Sequence, residues 1–406
     1  MTGRRTHIRI PVAGRYITPL GDAFASVEAV GGVVLFVAAL AALVLANSPW
    51  SDAYSDFWHN QLTIGVGRFS ISESFRQWVN DGLMTLFFFV VGLEIKRELI
   101  EGELSDGQKA RLPVLAALGG MAAPALIFLA WNLGGEGSRG WGIPMATDLA
   151  FALGLLALLG PRIAPGLKLF LLTLAIVDDI GAIIVIAFFY SEGIEAAWLG
   201  GAAASLLVVL LMRWLGARHP VLYVIPALVL WVCTLESGVH ATIAGVALGL
   251  LTPTGSFRGR RVLDPLERRF HPWTSFLVVP VFAFANAGVD LGRDALRDAA
   301  SSPITWGVVT GLVIGKVIGI TAATGIGLRL RLGRLPEGVT LRQVVGIGAV
   351  AGIGFTVSLF VAELSFGGQR LEAAKIGILV ASLVAGLIGC AVLFRRSRRT
   401  LPSGGD

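Results

Sequence analysis

Residues 168–190 read KLFLLTLAIVDDIGAIIVIAFFY. Apart from Lys168 at its edge, the run is apolar except where two adjacent aspartates, Asp178 and Asp179, stand at its centre. Twenty-three residues at a helical rise of about 1.5 Å each cover the ~30 Å hydrocarbon core of a bilayer. Similar runs, rich in Leu, Ala, Val and Gly, recur along all 406 residues, and charged residues make up only 15%. A soluble domain carries nearer a quarter. The mean hydropathy is +0.76. In lipid every backbone polar group needs a partner inside the protein, so spans must be helices or a closed barrel. The runs lack period-two alternation over about ten residues, which excludes the barrel. The sequence therefore predicts an all-α polytopic membrane protein.

Twelve spans are expected, at about 26–47, 79–96, 109–131, 143–159, 168–190, 195–215, 220–234, 238–252, 273–290, 304–328, 343–363 and 373–394. The first is too long for a signal-peptide core and no small-residue cleavage site follows it. The expected organisation is a cytoplasmic segment over 1–25, a transmembrane domain over 26–396 and a cytoplasmic tail over 397–406. Between the first two spans, Leu62-Thr-Ile-Gly-Val-Gly-Arg-Phe-Ser-Ile71 alternates about a glycine-flanked turn and predicts a short extramembrane β-hairpin. With an even span number both termini lie on one side. Placing them in the cytoplasm puts twenty-five of the 33 Lys and Arg in inside segments and seven outside, as the positive-inside rule requires. That distribution accounts for the pI near 9.7 without nucleic acid. Cys233 and Cys390 lie inside apolar runs and read as small packing residues. No cysteine or histidine cluster suggests a bound metal, so no cofactor is expected, and the absence of a phosphate-binding loop argues against an ATP-driven pump.

Four ionisable residues sit deep in spans: Asp148, Asp178, Asp179 and Lys316. Each costs roughly 2.5–3.5 kcal/mol at the bilayer centre, which makes it a functional hypothesis by default. Adjacent helix positions point about 100° apart, so one aspartate of the dyad can face a hydrated cavity while the other faces a neighbouring helix. Carboxylate oxygens suit a hard cation, and two so close resist joint ionisation. Proton and Na⁺ would compete for the same atoms. Asp148 follows Thr147 just after Gly142 and Pro144, which permit a helix break. An aspartate there would offset the positive end of a half-helix. Lys316 needs a counter-charge, and Asp178 or a helix C-terminus is the candidate. Gly352 and Gly354 weaken the eleventh span. Interrupted spans 4 and 11 then occupy equivalent places in triplets 3–5 and 10–12, which run in opposite directions, as in inverted-repeat transporters.

The sequence resembles the NhaA family of bacterial sodium/proton antiporters, itself one of the type cases of that inverted-repeat pattern. The matching stretches are Phe87-Phe-Phe-Val-Val-Gly-Leu-Glu-Ile-Lys-Arg-Glu98, Trp141-Gly-Ile-Pro-Met-Ala-Thr-Asp-Leu-Ala-Phe-Ala-Leu-Gly154, and Leu174-Ala-Ile-Val-Asp-Asp-Ile-Gly-Ala-Ile183. Ser237-Gly-Val-His-Ala-Thr-Ile-Ala-Gly245, Phe282-Ala-Phe-Ala-Asn-Ala-Gly-Val289 and Ala351-Gly-Ile-Gly-Phe-Thr356 complete the set, in order along the chain. The resemblance implies a secondary transporter, not an enzyme, in the bacterial inner membrane. It would exchange cytoplasmic Na⁺ or Li⁺ for external H⁺ electrogenically, at about two protons per sodium, under pH control and in support of salt tolerance.

On the same resemblance, Asp179 would be the main ion ligand, with Asp178 beside it pairing with Lys316 when no ion is bound. Thr147 and Asp148 would belong to the crossing of the broken helices and share in ion binding, Asp81 to the ion path, and Glu94, Glu98, His240, Glu267 and His271 to a cytoplasmic pH-responsive cluster. Arg268 stands where a histidine is expected, which bears on the pH set-point. The hairpin from Leu62 to Ile71 would be a homodimer contact. Three rivals are weaker, one of them a passive ion channel, which coupled flux against a gradient would exclude. A sodium-coupled solute symporter would need a further polar cluster, and an intramembrane aspartyl protease would need a Gly-x-Gly-Asp motif that is absent.

Overall fold

The computed structural model describes residues 19–66, 69–160, 163–191, 193–217, 219–253, 256–257 and 260–397. Most of the expected cytoplasmic segment 1–25, and the tail beyond Ser397, lie outside the described residues. Twelve helical segments stand over the twelve apolar runs, two of them broken. Among the described residues, five helices are by themselves long and apolar enough to cross a membrane: Gly107–Trp131, Pro165–Phe189, Ala196–Leu215, Pro303–Arg329 and Gly368–Phe394. The first helix runs Pro19–Ala46 and is followed by a short helix, Ser51–His59. The expected hairpin is present as β1 (Gln61–Val66) and β2 (Phe69–Ser74), with Ile64 opposite Ile71. The ladder runs further into the Gly-Val-Gly stretch than the pattern suggests, because Gly65 is still paired with Ser70 and Val66 with Phe69.

Local chemistry sets the ends of these helices. Asp106 caps Gly107–Trp131 by accepting from the Gln108 amide at 3.0 Å. Thr340 and Gln343 form a capping box ahead of Leu341–Val350. The eighth segment differs most from expectation. A run of about fifteen residues was read over 238–252, whereas the helix spans only Thr242–Leu251. At about 1.5 Å per residue its ten residues cross half the hydrocarbon core. Gly238, at φ 78°, takes the left-handed turn that ends the preceding helix, and Pro253 cannot continue this one.

Both triplets adopt the same plan of long helix, broken pair, long helix. In the first, the ten-residue 3₁₀ segment Glu136–Met145 and helix Leu149–Leu158 bend by 42° about a three-residue break. In the second, Leu341–Val350 and Phe355–Ser365 bend by 51°. The first half of the fourth span is thus a 3₁₀ coil that begins seven residues earlier than expected, at Glu136 rather than 143.

The triplets meet where helix Gly107–Trp131 lies against Pro303–Arg329. Gly311, Gly315 and Gly319 form a groove four residues apart, into which Pro124 and Gly119 fit. A side-chain carbon on Gly319 would overlap the Gly119 carbonyl and come within 2.9 Å of Ala123 Cβ. The contact is backbone on backbone, and neither helix can yield alone. Gly319→Leu is therefore expected to lower stability by about 1–3 kcal/mol or more through overpacking, read as a fall in melting temperature of the detergent-solubilised protein. Gly325→Leu, on a face with nothing within 4 Å, is expected to leave it unchanged.

Candidate functional site

The two breaks lie against each other at the middle of the bundle. The Asp148 amide donates to the Ile353 carbonyl at 2.6 Å, and the Ser358 hydroxyl donates to the Ile143 carbonyl at 2.7 Å. The surrounding atoms leave no room for side chains at the second break. A Cβ on Gly352 would overlap the Leu312 carbonyl, and one on Gly354 would overlap Ser358 Oγ.

Asp148, 1% exposed, caps two helices at once. Its Oδ1 accepts from the Phe151 amide at 3.0 Å, at the start of Leu149–Leu158. Its Oδ2 accepts from the Thr356 amide at 2.9 Å and the Thr356 hydroxyl at 2.6 Å, at the start of Phe355–Ser365. Both half-helix N-termini, each carrying roughly half a positive charge, are thus answered by one carboxylate. Thr356 was not singled out from the sequence as a site residue. Its place directly after the glycine break, where a helix has orphan amides, is the signal that could have found it.

The opposite charge comes from Lys316. It follows a π-helical turn, Gly311–Gly315, and is fully buried. Widened turns of this kind recur at functional sites. The ammonium Nζ donates to Asp178 Oδ2 at 2.6 Å and to Thr147 Oγ1 at 3.1 Å. The Thr147 hydroxyl has one proton and two acceptors in reach, Asp178 Oδ2 at 2.8 Å and the Ala351 carbonyl at 3.0 Å. Ala351 ends the half-helix Leu341–Val350, so Lys316 reaches a negative helix end through Thr147.

The dyad divides as the 100° spacing requires. Asp178 is fully buried against Lys316 and Thr147, yet its second oxygen, Oδ1, is buried with no hydrogen-bond partner. Asp179 is only part-buried and makes no hydrogen bond among the described residues. The negative charges that act on it are Asp178, Glu94 and Asp148, with Lys316 opposing them. Among the described residues no three His, Cys, Asp or Glu side chains converge as a metal-ligand set. The oxygens of Asp148 are already engaged by its caps. Acceptors still open near the centre are Asp178 Oδ1 and the carboxylate of Asp179.

The remaining site residues lie further out. Asp81 sits in a π-helical turn, Trp78–Leu83, at the start of the second span, where its carbonyl accepts from Trp231 Nε1 at 2.9 Å. Glu94 and His271 are 3.8 Å apart, and Glu267 is paired with Arg97. Glu98 is buried and accepts from the Glu103 amide at 2.8 Å. His240 stands apart from these four. It bonds the Tyr190 carbonyl at 2.8 Å, beyond the C-terminal end of Pro165–Phe189. Helix Thr242–Leu251 then runs from the Thr85 level of the second span towards Gly92. His240 therefore lies at the Asp81 end of that span, and Glu98 at the other.

Glu267 and His271 precede the apolar run 273–290, on the extramembrane part of the ninth helix. Burial pushes Glu267 above its ordinary 4.5, against the pull of Arg97. Burial first, and Arg97 second, push His271 below 6.5. For Glu267 the fold favours the protonated form, so its contribution to stability is present below 4.5 and lost as pH rises through the folded value. For His271 the fold favours the neutral ring, so its contribution is present above 6.5 and lost as pH falls through the window beneath it. His271→Gln is expected to flatten the loss of melting temperature just below pH 6.5, measured against the unsubstituted protein.

Breaking a buried pair leaves an uncompensated charge and costs about 3–5 kcal/mol. Lys316→Met is accordingly expected to destabilise strongly, and adding Asp178→Leu to recover most of the loss. Thermal unfolding of both variants in detergent checks this, and equal destabilisation by single and double substitution would contradict it.

A family model described as Na⁺/H⁺ antiporter 1 matches residues 22–393. The chain is 46% identical to the Na⁺/H⁺ antiporter NhaA of Serratia proteamaculans (strain 568), with 92% of this chain and 96% of the relative aligned. It is 46% identical to the Na⁺/H⁺ antiporter NhaA of Escherichia coli (strain K12), over 92% of this chain and 98% of the relative. It is 45% identical to the Na⁺/H⁺ antiporter NhaA 2 of Sorangium cellulosum (strain So ce56), over 93% and 90%.

Proposed function

The chain belongs to the Na⁺/H⁺ antiporter 1 family, and on that premise we propose that it exchanges cytoplasmic Na⁺ for external H⁺ at the Asp178–Asp179 dyad. One observation supports this site above the others. Of the carboxyl oxygens at the crossing, those of Asp148 are engaged as helix caps, whereas Asp178 Oδ1 and Asp179 have no hydrogen-bond partner among the described residues. A hard cation takes such oxygens, with Thr147 Oγ1 close by.

In the cycle, Na⁺ from the cytoplasm displaces the proton of Asp179 and draws Asp178 away from Lys316. Lys316 then gives up the proton that it holds while paired. The rocking of the two triplets carries the ion outward, and external protons restore Asp179 and the Lys316–Asp178 pair. Two protons thus return for each sodium, the cycle is electrogenic, and Li⁺, another hard cation, is accepted. Asp148 answers the half-helix N-termini throughout, and Lys316 answers the negative end for as long as it holds its proton. Asp81 supports the ion path on its own side of the crossing. Glu94, Glu98, Glu267 and His271 regulate the exchange by pH in sodium and pH homeostasis; His240 acts from the Asp81 end. The protein resides in the inner membrane with both termini in the cytoplasm, on the strength of its Lys and Arg distribution. It pairs as a homodimer through the hairpin, where Leu62 and Ile64 are exposed.

The test is proton flux in proteoliposomes. Asp179→Asn is expected to abolish Na⁺- and Li⁺-dependent flux while the variant still folds and inserts. Normal exchange by that variant would remove the dyad from the mechanism.

A further inference from the structure

A second group of charges, one buried and the others part-buried, lies outside the crossing, and the exchange cycle does not use it. Lys375, 1% exposed, has its Nζ 2.8 Å from Glu363 Oε1, close enough for an ion pair but not aligned as a hydrogen bond. Glu372, one turn before Lys375 on the last helix, feels Lys375, Arg76 and Glu363, and the Asp290 amide is turned towards it. Three atoms of this group are buried without a hydrogen-bond partner: the Arg76 donor Nε and the acceptors Glu363 Oε1 and Glu372 Oε2. Glu363 Oε1 has the Lys375 ammonium beside it, whereas Arg76 Nε and Glu372 Oε2 are complementary and each is costly while unmade.

Their placement gives this a meaning. Glu363 and Glu372 belong to the second triplet, on Phe355–Ser365 and Gly368–Ser397. Arg76 belongs to Phe75–Gln77, which joins the hairpin to the second span, and Asp290 follows the ninth. The cluster therefore straddles the boundary between the moving triplets and the helices they rock against. It stands at the hairpin end of the bundle, the outer end in the topology above.

We propose that Arg76 and Glu372 are the two halves of an outer latch, which pair directly when the outer face closes and part when it opens. Lys375 and Glu363 hold Glu372 in place on the moving side. The latch rests on the rocking exchange proposed above.

Two experiments test it on the full-length protein in proteoliposomes. With Cys233 and Cys390 replaced by serine, Arg76→Cys and Glu372→Cys together are joined by a short bis-thiosulfonate linker. Exchange is expected to stop on linking and return on reduction. Linked protein that still exchanges, or failure to link during turnover, overturns the latch. Separately, Arg76→Glu or Glu372→Arg alone is expected to weaken the apparent affinity for cytoplasmic Na⁺ about fivefold, the lower range for coupling between two states. The double swap is expected to restore it. Unchanged affinity in the single variants, or no rescue by the swap, also overturns it. Each is read beside the unsubstituted protein, whose own failure to exchange Na⁺ for H⁺ would instead reject the cycle.

Discussion

The structure depends on a conflict of helix ends at the centre of a bilayer. Two helices break where lipid forbids unmet backbone groups, and their N-terminal amides meet across the gap. Asp148 answers both, with three donors on its two oxygens. Without it, two partial positive charges would face each other in a medium of low dielectric. Lys316 supplies the converse at the negative end, through Thr147 to the Ala351 carbonyl. A charge at this depth costs a few kcal/mol. Charge-assisted hydrogen bonds return about 1.5–3 kcal/mol each, so Lys316 with its two bonds is sustained only while both partners stay in place.

That balance is what the proposed ion exchange rests on. Asp178 is held by Lys316 and Thr147 through one oxygen and leaves the other free. A cation that takes the free oxygen competes with Lys316 for the same carboxylate. The glycines that let the breaks touch, and the groove of Gly311, Gly315 and Gly319, keep the competing groups at fixed positions on rigid helices.

Much of this was legible in the sequence because charge in an apolar run is costly and therefore conspicuous. Asp148, Asp178, Asp179 and Lys316 stood out for that reason, and Pro144, Gly352 and Gly354 marked the breaks. Other features carried no such mark. Thr356 is an ordinary residue in a membrane helix until the position of Asp148 is known. The 3₁₀ form of Glu136–Met145 lies in a stretch whose three glycines and Pro144 disfavour an α-helix without specifying what replaces it. The half-length helix Thr242–Leu251 sits in a run as apolar as a full span. His240 was grouped with four distant residues by resemblance alone, although the twelve-span order with cytoplasmic termini already sets the start of the eighth span at the other end. Glu363, Glu372 and Lys375 lie at span ends, where charged residues are commonplace, and only their burial together sets them apart.

The most direct test of ion–proton competition is the calorimetry of Na⁺ binding to the purified protein in buffers of different ionisation enthalpy. The expected result is proton release on binding, approaching about two per ion, with affinity that rises with pH and vanishes in Asp179→Asn. Binding of Na⁺ with no release of protons, or unaltered binding in that variant, would contradict the account.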